Sequence, residues 1–253
     1  MTTGVRVRTA PRRLPAVLVT PLLRWLAINH TVAPGEPWRR TCPGCGAAIG
    51  FGGALLPQAR CGGCAARVGP PPWSVEVLAL LALLALVAFA GGRPVVSLPV
   101  VAAFAWWAAL AIPLVLVDLA VHRLPDRLTL PAAAGVAVLL GAAALVDGAA
   151  DRWVRSLLAG AGVALFFATT TLVLGRRGFG LGDAKLALSC AALLGWFGWG
   201  AVLLGLMAGL LLSALVSIVL LLAGKVRWTS SLPFGPFLVA GTVLGLFVVV
   251  PLS

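Results

Sequence analysis

The strongest constraint on the fold of this chain is a series of apolar runs that begins near residue 74. Several of these runs reach the roughly 20 residues that a helix needs to cross a bilayer. Only 10% of the 253 residues are charged, whereas charged residues make up about 25% of a typical soluble domain. The pattern predicts an all-α polytopic membrane protein, and the lipid bilayer is its first predicted partner.

The apolar pattern predicts seven spans after Trp73. They lie at about 74–90, 95–117, 128–147, 155–174, 184–198, 200–223 and 235–252. Residues 14–33 are also apolar, but they contain Arg24, Asn29 and His30, which are unfavourable in lipid. We interpret this stretch as either a poor first span or a helix that lies in the membrane interface. The fold prediction is therefore seven to eight transmembrane helices.

Composition divides the chain into three predicted parts. Residues 1–33 combine a basic N-terminus with the poor first span, and no small-residue cleavage site marks them as a removable signal peptide. Residues 34–73 are rich in Gly, Pro, Cys and Arg, which predicts a small loop domain that we call the head. Residues 74–253 are the predicted membrane body.

The basic residues cluster in short loops beside the apolar runs, and they predict the orientation. One side holds eleven of them: Arg39, Arg40, Arg60, Arg67, Arg123, Arg127, Arg176, Arg177, Lys185, Lys225 and Arg227. The other side holds Arg93, Arg152 and Arg155. The positive-inside rule then predicts that the first set and the head lie in the cytoplasm. We expect the chain in the cytoplasmic (inner or plasma) membrane. This clustering explains the net charge of +12 without nucleic acid as a partner.

Two aspartates lie at the cytoplasmic ends of predicted spans. Asp118, in VDLAVHRLPDRLTLP, closes one span, and Asp183, in GFGLGDAKLAL, opens another. Gly178, Gly180 and Gly182 leave room for an extended peptide near the second carboxylate. Each aspartate alone is better explained as a helix cap at the membrane interface. Because two of them lie at one depth on one side, we interpret them as a functional pair.

Paired carboxylates are typical of proteolysis by an activated water molecule. Two facing aspartates share a proton, so one carboxylate activates water while the other hydrogen-bonds the scissile carbonyl. We expect Asp118 to hold the proton more often, because it lies near a helix C-terminus and Asp183 lies near a helix N-terminus. A transporter with carboxylates among glycine-broken helices is the alternative, although the sequence contains no evident inverted repeat.

Four cysteines in the head form two Cys-x2-Cys pairs that are separated by fifteen residues. The stretch is CPGCGAAIGFGGALLPQARCGGC, with Cys42, Cys45, Cys61 and Cys64. Four thiolates at this spacing favour a tetrahedral zinc site. Two disulfides are the alternative, which the predicted cytoplasmic location disfavours.

Three motifs together resemble those of a known family. DLAVHRLPDRLTLP, GFGLGDAKLAL and LPFGPFLVAG occur in the order found in the type IV prepilin peptidases, the Gly-x-Gly-Asp membrane aspartyl proteases. The resemblance covers about residues 73 to 250. It implies that Asp118 and Asp183 are catalytic, and that the substrates are prepilins and pseudopilins whose short leader peptides are removed on the cytoplasmic side.

The same resemblance suggests supporting roles for other residues of the motifs. Asp126 matches a non-catalytic acid, which we expect to cap the helix beginning near Leu128. Lys185 follows the Gly-x-Gly-Asp motif, and we expect it to shape the local electrostatics. Gly180 and Gly182 belong to the same predicted site.

The head also resembles that family, many members of which N-methylate the new N-terminus with S-adenosylmethionine. Glu76 corresponds to the glutamate that follows the cysteine region in such proteins. The segment between the cysteine pairs is, however, shortened, and the first span is interrupted by Arg24, Asn29 and His30. Methylation is therefore a weaker expectation than cleavage.

Overall fold

The computed structural model describes residues 19–32, 36–91, 96–175, 180–227 and 232–249. Within these ranges the chain forms eight α-helices and one short 3-10 helix (Phe51–Ala54). The α-helices are α1 (Val19–His30), α2 (Ser74–Gly91), α3 (Leu98–Val121), α4 (Asp126–Asp147), α5 (Ala150–Leu174), α6 (Leu181–Gly195), α7 (Trp199–Leu222) and α8 (Gly235–Val249). The predicted all-α class is confirmed.

The seven predicted spans correspond to α2 through α8. Five of these helices, α2, α3, α4, α5 and α7, are long and apolar enough to cross a membrane. The described parts of α6 and α8 contain 15 residues each, or about 22 Å, which is less than the thickness of a bilayer core. Both short helices pack inside the bundle, α6 against α4 and α5, and α8 against α3 and α7.

Burial separates the inner helices from those that face lipid. Most side chains of α6 are buried, and the main apolar core runs along α3, α4 and α6. In contrast, α2, α5 and α7 leave many leucine and valine side chains exposed, including Leu81, Leu158 and Leu211. Exposed apolar side chains around polar helix ends are the arrangement expected of a protein surrounded by lipid.

Two glycine motifs face each other where α7 meets α8. Gly205 and Gly209 on α7 oppose Gly241 and Gly245 on α8, each pair with the Gly-x-x-x-Gly spacing. A Cβ atom added at Gly241 would lie 2.5 Å from the backbone nitrogen of Gly209. The two backbones therefore pack too closely for any side chain, as in other membrane helix pairs with small residues at the interface.

We expect Gly241→Ala to destabilise this helix pair, because its methyl group would push the α8 backbone away from α7. The predicted loss is of the order of 1–3 kcal/mol, as for other overpacked sites. The thermal unfolding midpoint of the detergent-purified protein measures it. Gly162→Ala on α5 is the matched control, since a Cβ there has no neighbour within 4 Å. Equal midpoints for the two variants would contradict the close packing of α7 and α8.

The polar residues of α1 face the protein and not the lipid. Arg24, Asn29 and His30 are all buried. The Arg24 guanidinium donates a hydrogen bond to the carbonyl oxygen of Ala54 at 2.5 Å and forms an ion pair with Glu76 at the start of α2. The residues that made this stretch look like a poor span thus join it to the head and to α2. The structure places α1 against α3 and α2.

Candidate active site

The cytoplasmic ends predicted for α3 and α6 meet at a cavity of about 600 Å³. Asp118 and Asp183 both line this cavity, and their carboxyl groups interact electrostatically. Basic side chains occupy much of the remaining wall: His30, His122, Arg123, Arg127 and Lys185. The structure therefore brings together the two aspartates that the sequence proposed as a pair.

Asp183 is the third residue of α6, and the backbone at the helix start fixes its carboxylate. Gly180 precedes the helix in an extended conformation, and its backbone N–H donates a hydrogen bond to Asp183 Oδ2 at 3.0 Å. This contact satisfies a backbone donor at the helix start, where negative charge is also favoured by the helix dipole. The predicted position of this aspartate at a helix N-terminus is confirmed.

Asp118 lies in the last turn of α3 and is only 4% exposed. Its Oδ2 accepts a hydrogen bond from the backbone N–H of Gly235, the first residue of α8, at 3.0 Å. The first backbone N–H of α8, which has no partner within its own helix, therefore points at this carboxylate. The expectation that Asp118 holds the proton more often considered only the α3 terminus, whereas the start of α8 also faces this carboxylate. It stays a prediction.

Gly235 contacts Asp118 in a way that sequence reasoning missed. A Cβ atom at Gly235 would lie 2.7 Å from Asp118 Oδ2 and 3.5 Å from Leu186 Cδ2. Only a residue without a side chain leaves this carboxylate in its observed position. The motif LPFGPFLVAG contains this glycine, but the sequence alone did not indicate that it lies beside Asp118.

The supporting residues of the motifs lie at the cavity rim or in its wall. Lys185 Nζ donates to Asp126 Oδ1 at 2.5 Å and so connects α6 to the first turn of α4. Pro125 occupies the cap position of α4, and Asp126 forms this ion pair where we had expected a cap. Gly182 packs against Leu124, to whose Cβ an added methyl group would lie 3.0 Å.

Several predicted features fall outside the described residues. They are the basic N-terminus (residues 1–18) and, among the loop residues of the positive-inside argument, Arg93, Arg176 and Arg177. Gly178 of the glycine-rich motif also lies outside them.

The four cysteines of the head converge on one point. Their Sγ atoms all lie within 4.8 Å of one another, and the Cys42–Cys64 and Cys45–Cys61 pairs are each 3.6 Å apart. All four are free thiols, so the alternative of two disulfides is not what the structure has. Tetrahedral coordination at a Zn–S distance of about 2.3 Å separates the sulfurs by about 3.8 Å. The cluster therefore fits a metal of this kind.

Each cysteine pair lies in a tight turn closed by backbone hydrogen bonds. The Cys42 N–H donates to Ala47 O, and the Cys61 N–H donates to Ala66 O, both at 2.8 Å. In the second turn the backbone N–H groups of Gly63 and Cys64 lower the pKa of the Cys61 thiol to about 6. A thiolate is the form that binds metals. The second turn thus favours the thiolate form of Cys61.

The head and α1 also contribute to the wall of the aspartate cavity. Trp38 of the head and His30 of α1 both line it. The Arg127 guanidinium at the start of α4 lies over the Trp38 ring, 4.1 Å from its centroid. No sequence motif indicated this contact, because the residues come from separate parts of the chain.

Comparisons with known proteins agree with the motifs. A family model described as "Type IV leader peptidase family" matches residues 102–224. A Burkholderia pseudomallei (strain 1026b) protein named "Prepilin leader peptidase/N-methyltransferase" is 37% identical over 153 residues, which cover 58% of this chain and 46% of that protein. An Aeromonas hydrophila protein of the same name is 34% identical over 191 residues, covering 74% of this chain and 61% of its own length.

The chain therefore spans about half to three-fifths of the length of the curated relatives that it matches. No solved structure matches it. Both aspartates of the cavity lie inside the matched region, as does Lys185 beside them. The resemblance to the type IV prepilin peptidases is thereby confirmed, and residues 102–224 are the part of the chain that carries the type IV leader peptidase family region.

Proposed function

We propose that this chain is a membrane aspartyl endopeptidase that removes the short leader peptide from type IV prepilins and pilin-like proteins. The observation that carries the proposal is the meeting of Asp118 and Asp183 in one cavity at the ends of α3 and α6. The matched family region and the names of the relatives support it. They do not favour the transporter alternative.

In the proposed reaction the two aspartates are the catalytic residues and share one proton. The ionised carboxylate takes a proton from a water molecule, whose oxygen attacks the scissile carbonyl carbon. The protonated carboxyl donates a hydrogen bond to the carbonyl oxygen, and a proton then passes to the leaving nitrogen as the C–N bond breaks. The backbone N–H groups of Gly180 and Gly235 hold the carboxylates in place. Asp126, Lys185, Gly180 and Gly182 support this site.

We further propose the cytoplasmic (inner or plasma) membrane as the location, with the cavity on the cytoplasmic side. The bias of basic loop residues supports this orientation. A substrate with its scissile bond at that depth is a membrane helix preceded by a short cytoplasmic leader. In this proposal residues 74–253 are the peptidase body, residues 34–73 are the zinc-binding head, and residues 1–33 precede both.

Incubation of the membrane-embedded protein with a full prepilin tests the proposal. We expect the leader to be removed, and we expect a soluble peptide of the same junction to be a poor substrate, because it lacks the helix that packs among the spans. The shift of the prepilin band and mass spectrometry of the new N-terminus measure both reactions. The absence of any cleavage of the prepilin would overturn the proposed activity.

The cysteine cluster is proposed to hold one structural zinc ion through Cys42, Cys45, Cys61 and Cys64. We expect about one zinc per chain in protein purified under reducing conditions, and none after Cys42→Ser with Cys61→Ser, because two of four ligands are then lost. Elemental analysis measures the metal. Cys190→Ser is the control, since this thiol lies far along the chain in α6. Wild-type protein without zinc would contradict the site.

A second proposed activity is N-methylation of the new N-terminus with S-adenosylmethionine. The names of the two relatives include an N-methyltransferase, and Glu76 occupies the position that the resemblance suggests. Addition of S-adenosylmethionine to the cleavage reaction tests it. A mature pilin heavier by one methyl group is the expected product, and an unmethylated product would leave this chain with cleavage alone.

A further inference from the structure

His30 is a histidine of the aspartate cavity that lies outside the matched family region. It is the last residue of α1, it is only 6% exposed, and it lines the cavity together with Asp118 and Asp183. In the sequence, His30 is a polar interruption of an apolar stretch. Its burial in the wall of a cavity that also holds two carboxyl groups calls for a chemical reason.

The hydrogen bond of one ring nitrogen defines the chemistry of the other. Nδ1 of His30 lies 2.8 Å from the carbonyl oxygen of Leu26, one turn earlier on α1. A carbonyl only accepts, so Nδ1 carries the hydrogen, and in the neutral ring Nε2 presents a lone pair. Among the described residues Nε2 has no hydrogen-bond partner, although it is buried.

Neighbouring side chains hold the imidazole in this position. Its ring packs on the indole of Trp38, with the centroids 4.8 Å apart. The guanidinium of Arg127, in the first turn of α4, lies over the same indole. The ring is therefore fixed by α1, the head and α4, and cannot swing into solvent without breaking these contacts.

Half of the charged side chains in the cavity wall are hydrogen-bond donors. Arg123, Arg127 and Lys185 can only donate hydrogen bonds. Asp126 is paired with Lys185, and the two remaining aspartates are required for the reaction. An extended peptide presents backbone N–H groups as well as carbonyls, and each N–H that leaves water needs an acceptor. Among the side chains of the cavity wall, His30 offers an acceptor in Nε2, which is buried and has no partner among the described residues.

We propose that His30 is a substrate-binding residue, whose Nε2 accepts a hydrogen bond from a backbone N–H of the extended segment around the scissile bond. The proposal rests on the proposed function of the aspartate pair. It extends the substrate site beyond the family region to α1. The alternative occupant of Nε2 is an ordered water molecule that has no part in substrate binding.

His30→Phe tests the proposal, because it keeps a ring to pack on Trp38 and removes both nitrogens. Thr31→Val is the matched control. Thr31 Oγ1 makes the equivalent hydrogen bond one turn back, to Ala27 O at 2.6 Å, but does not line the aspartate cavity. We expect the Phe variant to lower kcat/KM for a full prepilin about tenfold, as for a lost hydrogen bond to substrate, and the Val variant to change it less than about twofold.

Binding measured in the inactive Asp183→Asn background separates this role from a structural one. There, His30→Phe should weaken prepilin binding by the same factor as it lowers kcat/KM, while the thermal midpoint matches that of the Thr31→Val protein. His30→Leu serves if the Phe variant does not accumulate, since it also lacks Nε2. Equal cleavage by the His30 and Thr31 variants would overturn the proposal and indicate bound water only. Absence of cleavage by the unaltered chain would overturn the proposed function as well.

Discussion

Asp118→Asn and Asp183→Asn should each abolish leader removal, with losses of at least about a thousandfold in rate, while the protein still accumulates in membranes. An amide neither takes a proton from water nor shares one with its partner, so either change removes the acid–base step. Both substitutions preserve size, and the hydrogen bonds from Gly180 and Gly235 to the side-chain oxygens remain available. Cleavage of a full prepilin, followed over time at equal enzyme concentration, measures the loss.

Asp151→Asn is the matched control, because this acid is exposed in the first turn of α5 and does not line the cavity. It should cleave at the rate of the unaltered chain. Asp126→Asn should lose less than either cavity variant, since Asp126 only pairs with Lys185 at the rim. An equal loss there, or near-normal cleavage by either Asp118→Asn or Asp183→Asn, would mean that the pair is assigned wrongly.

Gly235→Ala should reduce cleavage by about a hundredfold, although it changes no ionisable group. Its methyl carbon would lie 2.7 Å from Asp118 Oδ2, so the carboxylate or the start of α8 has to move by several tenths of an ångström. Displacements approaching 1 Å in a catalytic site can lower rates by this amount. The loss should appear in kcat more than in KM, and steady-state kinetics with a full prepilin distinguish the two.

Gly200→Ala provides the comparison for this variant. Gly200 also lies at the start of a helix, α7, but a Cβ there has no neighbour within 4 Å. We expect normal cleavage and a normal thermal midpoint. If Gly235→Ala cleaved as well as Gly200→Ala, the contact between the α8 start and Asp118 would have no part in the reaction.

The sequence predicted those features that depend on local patterns. Apolar runs predicted α2 through α8 because a bilayer requires continuous apolar helices of known length. Counting the spans put Asp118 and Asp183 at one end of the bundle, where the structure has them in one cavity. The spacing of the four cysteines predicted their convergence, since each pair belongs to one short turn.

Contacts between distant segments were not predictable in the same way. Gly235 donates to a carboxylate 117 residues earlier, and the close packing of Gly205 against Gly241 depends on how α7 and α8 pair in space. His30 looked like a defect in an apolar stretch, because a single residue does not reveal which face of its helix is buried. In each case the missing information was the arrangement of the helices.

The ion pair between Arg24 and Glu76 has a consequence for the construction of chimeras. It joins a residue on the N-terminal side of the head to one on the C-terminal side, and Arg24 also binds the head itself through Ala54 O. A graft that exchanged only the loop between these residues would retain the ion pair between Arg24 and Glu76. It would, however, replace the part of the head that Arg24 also contacts. One that cut between Arg24 and Glu76 would leave a buried charge uncompensated, which is strongly destabilising. The smallest transplantable segment therefore begins before α1 and ends within α2.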